Sequence, residues 1–221
     1  MHILTANIHG NPNIGLYAYA NDKFCLVGHE VPSSLVKQME KVLKVPCHKL
    51  TIAGTSLIGV FVTGNNKCLL IPEITYKKEL KILEKLKIKY EIINTKHTAL
   101  GNNILCNDKG CLVSSEFEQT AIKQIEKALM LKPKIAKIAD LDIVGSLAVH
   151  NKMGCLLHRD CEVFELKNVE KTLKIECDIG TINFGNPYIR SGVVANSNGF
   201  IIGSLSTGPE IDNVDHVLKF I

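Results

Sequence analysis

The stretch at residues 100–113, LGNNILCNDKGCLV, occurs five times in this chain in varied form, and that repetition constrains the fold more than any other feature. In each copy a glycine opens a short apolar run, an Asn-containing polar turn follows, and a second apolar run returns. The copies open at Gly15, Gly59, Gly101, Gly145 and Gly192, and their second runs begin at Cys25, Cys68, Cys111, Cys155 and Phe200. Successive copies lie about 44 residues apart, a period that belongs to architectures in which each supersecondary unit buries its apolar face against its neighbours.

Each unit reads as strand, turn, strand, helix, strand. In the first, residues 16–20 are Tyr-rich, the Asn21-Asp22-Lys23 corner suits a hairpin because Asn and Asp tolerate positive φ, and 24–27 return. After Pro32-Ser33, Leu35, Met39, Val42 and Leu43 recur at helical spacing among Lys37, Gln38, Glu40 and Lys41. Pro46 stops the helix and 49–53 form a third strand. The later helices are carried by Leu80, Leu83 and Leu86, by Ile122, Ile125 and Leu129, and by Val169 and Leu173, with third strands at 90–93, 134–139 and 179–182. Ser115 and Glu118 form a capping box ahead of the third helix. Glu40, Glu84, Glu126, Glu170 and Asp215 fall at one repeat position, which we place on a solvated face.

The fifth helix, expected at 212–220, runs to the chain end and leaves its unit without a third strand. Residues 1–13 are unused, and Ile3-Leu4-Thr5-Ala6 before Ile14-Gly15 parallels Leu50-Thr51-Ile52-Ala53 before Ile58-Gly59. The N-terminal strand is therefore expected to complete the fifth repeat and close a ring. The expectation is a single α/β (α+β) domain, 1–221, of five ββαβ repeats at 14–55, 56–97, 98–141, 142–187 and 188–221 with 1–13. A Trp-Asp propeller has a similar period but four strands per blade and no helix, and this chain contains no Trp.

Composition excludes some functions. No apolar run approaches the ~18 residues that span a bilayer and the start has no signal-peptide pattern, so a cytoplasmic protein without a membrane partner is expected. The net charge of +4 rests on lysines, with Arg159 and Arg190 the only arginines; it permits nucleic-acid contact without demanding it. Of eight cysteines, four fall at the position where the fifth copy has Phe200, which marks an apolar site rather than thiol chemistry. With no CxxC pair and no glycine-rich phosphate loop, neither metal nor cofactor is expected.

The fivefold ββαβ ring with a closing terminus resembles the pentein fold, and LGNNILCND, TIAGTSLIG, DIVGSLAVHNKMGCLLH and GTINFG, in that order, resemble the translation initiation factor 6 family of archaea and eukaryotes. The resemblance covers the whole chain. It implies a non-enzymatic factor that binds the large ribosomal subunit beside the sarcin-ricin loop, on a ribosomal protein of the intersubunit face, and blocks premature joining of the small subunit. A role in large-subunit maturation is implied as well. The sequence departs from the eukaryotic pattern in stopping at Ile221 without a polar tail and in having Val60 where those members tend to have Arg.

In a closed ring, equivalent positions share one circle. The residues after the five glycines, Leu16, Val60, Asn102, Ser146 and Val193, are expected at one end as the ribosome-binding surface, because Asn and Ser beside apolar residues do not read as core. Penteins also include enzymes that modify guanidino groups through a Cys nucleophile, and His158-Arg159-Asp160-Cys161 is the cluster that would suit one, with His29, His97 and His150 as further channel candidates. Lys77, Lys78, Lys81, Lys85, Lys87 and Lys89 could meet RNA, but a solvated helix face accounts for them. We expect a monomer with no small-molecule substrate.

Overall fold

The computed structural model describes residues 2–221, which form five three-stranded sheets. In the first unit Ala18–Ala20 pairs antiparallel with Cys25–Gly28, which pairs in parallel with Cys47–Leu50, and helix Ser33–Leu43 makes the crossover. The closing unit obeys the same rule with a strand from the other end of the chain. Ile3–Ala6 lies parallel to Phe200–Gly203, with Ile3 opposite Phe200 and Ala6 opposite Gly203. The N-terminus thus closes the ring as expected.

No unit has a core of its own. Met39, Val42 and Leu43 of the first helix pack with Val194 and Ile201 of the fifth unit, and Leu83 of the second packs with Tyr19 and Leu26 of the first. Ile125 and Leu129 meet Cys68 and Leu70, Val169 and Leu173 meet Leu105 and Leu112, and Val214 and Val217 meet Val149 and Leu156. Every helix therefore covers its own sheet and the preceding one, so burial is complete only when the ring is closed.

Polar groups staple the same joints. Each turn asparagine accepts the N–H groups two and three residues on, as Asn107 does from Lys109 and Gly110. Four of them also donate to the last carbonyls of the next unit's helix: Asn65 to Leu129, Asn107 to Leu173, Asn151 to Leu218 and Asn196 to Leu43. Reaching back, the side chains of buried Glu79, Glu165 and Glu210 accept backbone N–H groups from the preceding unit, at Ala53 and Gly54, Ala139 and Asp140, and Phe184 and Gly185. Ala53, Ala139, Asp140 and Phe184 have positive φ, so these carboxylates hold turns that the backbone alone disfavours.

Several expectations are corrected. The opening glycines do not begin strands: they lie in single helical turns, Ile14–Leu16, Ile58–Phe61, Leu100–Asn103 and Ile189–Gly192, with a further turn at 144–147. Counted six residues back from each turn asparagine, the position holds Gly15, Gly59, Gly101, Gly145 and, in the fifth unit, Arg190 rather than Gly192. Likewise Leu69, not Cys68, pairs as Cys25, Cys111, Cys155 and Phe200 do; Cys68 closes its turn, as Phe24 and Gly110 do. Ser115 caps no helix. Its hydroxyl meets Asp142, and the helix begins at Gln119 after Glu118. The third strands start earlier in the first and fourth units, at Cys47 and Glu176, that of the third is only Lys134–Ile135, and the last helix is Gly208–Val217, capped by Thr207 and with Pro209 in its first turn.

The acidic residues expected on a solvated face mostly have partners. Glu40 accepts the first N–H of its third strand, at Cys47, Glu170 the second of its own, at Cys177, and buried Asp215 holds His2 at 2.8 Å. The second-unit lysines, in contrast, are exposed as expected.

Candidate functional site

Central and third strands run away from the asparagine turns, so the strand-to-helix loops and the turns leaving each unit gather at the opposite end. There the one-turn helices meet round the axis. A Cβ on Gly59 would strike Gly15 O and lie 2.7 Å from Ala18 O; Gly101 faces Gly59 O, Gly145 faces Gly101 O, and Gly15 faces Arg190 O. The Gly145 N–H donates to Asn102 O at 2.8 Å, and Arg190 N–H to Ser146 O at 3.2 Å. These contacts complete a circle, and they require glycine because backbone meets backbone with no room for a side chain.

Leu16, Val60, Asn102 and Ser146 stand on this circle and are half-buried. The fifth place belongs to Ser191. Val193 is 2 % exposed on the first strand of the fifth sheet, Val193–Ala195, because the register of its unit is set two residues from where Gly192 suggests. The Asn102 side chain has no hydrogen-bond partner among the described residues, whereas Ser191 Oγ is engaged by Tyr188 O at 2.7 Å and Asn13 Oδ1 at 3.2 Å. Around the circle this end exposes Tyr76, Val163, Phe164, Phe184, Tyr188 and Leu205, and Phe184 is 81 % exposed on its positive-φ turn. These side chains give this end a ring of apolar groups that suits an interaction face, while Met130, Ile135 and Met153 are exposed elsewhere on the molecule.

Behind the circle the axis opens into a channel of about 350 Å³ whose mouth is formed by the asparagine turns. Asn66 bridges the mouth, donating to Asp108 and Asp22 and receiving the Asp22 N–H, and Lys152 pairs with Asp22 at 2.9 Å. Arg190 fills the narrow end. Its guanidinium donates to Gly59 O and Val62 O at 3.4 and 3.2 Å and lies over the Tyr19 ring. Burial pushes the Tyr19 hydroxyl far up, so it stays neutral. Burial, then the charge of Arg190, pulls the His150 ring below its usual value.

The candidate catalytic cluster does not reach this channel. Cys161 is enclosed at the start of the fourth helix, where burial and neighbouring Glu165 push its thiol up to about 12. His158 is buried beside Tyr188 and receives the Asp160 N–H at Nδ1. His29 and His97 also lie off the channel lining, and only His150 is part of it. The lining residues Tyr19, Thr63, Cys106 and Arg190 were not singled out as site residues from sequence. The substitution of Arg for the axial glycine was the available signal, hidden by the misplaced fifth register.

The fold class is that of the penteins. A dimethylarginine dimethylaminohydrolase, solved as an adduct with S-methyl-L-thiocitrulline, superposes with a TM-score of 0.53 over 76% of this chain and 68% of that one, at 9% sequence identity, a likeness of fold alone. Within that class the chain belongs to the eIF-6 family, whose model matches residues 3–217. It is 41% identical to translation initiation factor 6 of Saccharolobus solfataricus over 99% of both chains. With the proteins of that name from Staphylothermus marinus and Pyrococcus abyssi it shares 37% and 34%, over 96% and 100% of this chain and 95% and 100% of theirs. None of the described helices is long and apolar enough to cross a membrane.

Proposed function

We propose that this protein binds the large ribosomal subunit on its intersubunit face and prevents premature association with the small subunit, acting in the cytoplasm as a monomer in translation initiation and large-subunit biogenesis. The observation that carries the reading is membership of the eIF-6 family over nearly the whole chain. The narrow end supports it. Blocking needs no chemistry, only a rigid body on a surface that the other subunit must use, and a ring stapled at every joint is such a body. We assign contact with a ribosomal protein near the sarcin-ricin loop to Leu16, Val60, Asn102, Ser146 and Ser191, the last in place of Val193. The free Asn102 carboxamide lies near the centre, and apolar Phe184 and Tyr188 lie at the rim. Lysines of the outer helices can approach rRNA phosphates in a salt-dependent way.

The second reading is a guanidino-modifying enzyme, and Cys106 and His150 in the channel are the observation in its favour. Such an enzyme must hold a cationic group, which needs carboxylates inside. Here the interior carries the Arg190 cation instead, while Asp22 and Asp108 stand at the mouth engaged with Lys152 and Asn66. Light scattering on mixing subunits tests the proposal. Excess protein bound first to large subunits should suppress joining without releasing citrulline from arginine; unimpaired joining, or turnover of arginine, refutes it.

A further inference from the structure

Arg190 is a half-buried cation without a counter-charge among the described residues. Its main chain takes the place of a glycine in the axial circle, while its side chain turns into the channel. Of the five N–H groups of a guanidinium, two are used, by Gly59 O and Val62 O. No carboxylate among the described residues pairs with it: Asp22 is taken by Lys152 and by the Asn66 and Ser197 amides, and Asp108 by Asn66. Its enclosed surroundings lower its affinity for the proton through desolvation, which is the cost of an unpaired charge away from water. A second polar group of the channel is also unspent: His150 belongs to the lining, and although its Nδ1 is sealed from the void, its Nε2 has no hydrogen-bond partner among the described residues. The remaining lining adds the Thr63 hydroxyl, with Lys109 and Asp22-paired Lys152 at the mouth, while the turn asparagines are spent on the joints between units.

We propose that the channel is a binding site for a small oxyanion, a carboxylate or phosphate, held by the free face of the Arg190 guanidinium with His150 as second donor. A planar guanidinium offers paired N–H groups that match the two oxygens of such a group, and a neutral imidazole can carry its proton on Nε2 to add a third bond. A cavity of about 350 Å³ admits an anion of a few heavy atoms beyond its charged head. The sign of the charge excludes the cationic substrates expected from a guanidino-modifying pentein.

The chain has only two arginines, so its arginine Nε resonances report the site directly. Inorganic phosphate and acetate are titrated separately into the labelled full-length protein at constant ionic strength set with chloride. The expected result is a saturable shift of the Arg190 Nε signal with either anion while that of exposed Arg159 stays within a tenth of that shift. A rise in Tm with phosphate that disappears in Arg190→Gln is expected as well. Parallel unsaturating drift of both signals, or a saturable response to methylguanidinium in place of the anions, overturns the proposal. If Arg190→Gln does not fold, the wild-type titration decides alone.

Discussion

Replacing Glu79 by Gln tests whether the inter-unit carboxylates hold the ring. Glu79 is fully buried. One oxygen accepts from Ala53 N and Tyr76 N, each at 2.9 Å, and the other from Gly54 N at 2.9 Å and the Thr51 hydroxyl. Those four bonds use all the acceptor positions a carboxylate has. A glutamine that keeps its oxygen toward Ala53 and Tyr76 turns an NH2 toward Thr51, whose hydroxyl can rotate to accept, and toward the Gly54 N–H, which cannot. The loss is one bond to a charged group, about 1.5 to 3 kcal/mol, and the retained bonds weaken on becoming neutral, so we expect about 3 kcal/mol in all. In a chain of this length that lowers Tm by roughly 6 to 12 °C, read by calorimetry or circular dichroism. Glu84→Gln is the control, because exposed Glu84 meets only the Tyr90 hydroxyl among the described residues and should stay within about 0.5 kcal/mol. A Glu79→Gln protein as stable as Glu84→Gln would show that the ring does not depend on these staples.

The axial circle predicts that Gly59→Ala lowers Tm by more than 10 °C or abolishes folding, about 3 kcal/mol or more, whereas Gly208→Ala, with open space around its Cβ, is nearly neutral; thermal melts of both decide. Glu210 predicts a pH dependence: burial alone would raise its carboxyl, but the N–H groups of Thr207, Gly185 and Phe184 and the Thr181 hydroxyl outweigh it and hold the group below its usual 4.5. A depressed folded value means that its stabilisation is complete above about pH 4.5 and is lost as pH falls through the folded value, so denaturant titrations should show wild type and Glu210→Gln converging below pH 4.5 and separated by a constant gap above 5.5. In cosedimentation with large subunits, Asn102→Arg should weaken binding by about 1 to 3 kcal/mol in a folded protein and Lys81→Ala should change little, while Val193→Phe should act through stability by overpacking the core. Normal binding by Asn102→Arg with loss on changing the outer lysines would move the interface to the rim.

The repeat made the topology legible because a period of about 44 with a missing last strand leaves one way to complete the fifth unit, and Ile3–Ala6 takes it. Strand Tyr90–Ile93 and helix Ser33–Leu43 could be read from apolar spacing alone, since those positions are decided by burial. What could not be read was set between units. Glu79, Glu165 and Glu210 look like surface acids in a single unit, and only the preceding unit's turn supplies the N–H groups that make them structural. The axial glycines failed as strand markers for a similar reason: their smallness answers to another unit's carbonyl across the axis, not to a local turn. Cys68 was misplaced by one residue because a buried thiol at a turn end and Leu69 beside it are equally apolar, and the hydrogen-bond register alone separates them.

In a ring of like units, a residue shared by all copies can serve the architecture, whereas a departure must be tolerated by it and invites another explanation. The turn asparagine is kept five times, with structural work in every copy. The axial position is Gly four times and Arg190 once, and the fifth unit accommodates it only because the side chain leaves along the channel. Packing does not ask for a guanidinium there, since glycine closes the other four joints, and an unpaired cation drawn partly away from water costs stability. The next position on the circle varies through Leu16, Val60, Asn102, Ser146 and Ser191, and it faces outward. The two sides of the axial plug therefore differ from symmetry in different ways: inward by one charge, which suits a small anion, and outward by a mixture of amide, hydroxyl and apolar groups, which suits a protein surface.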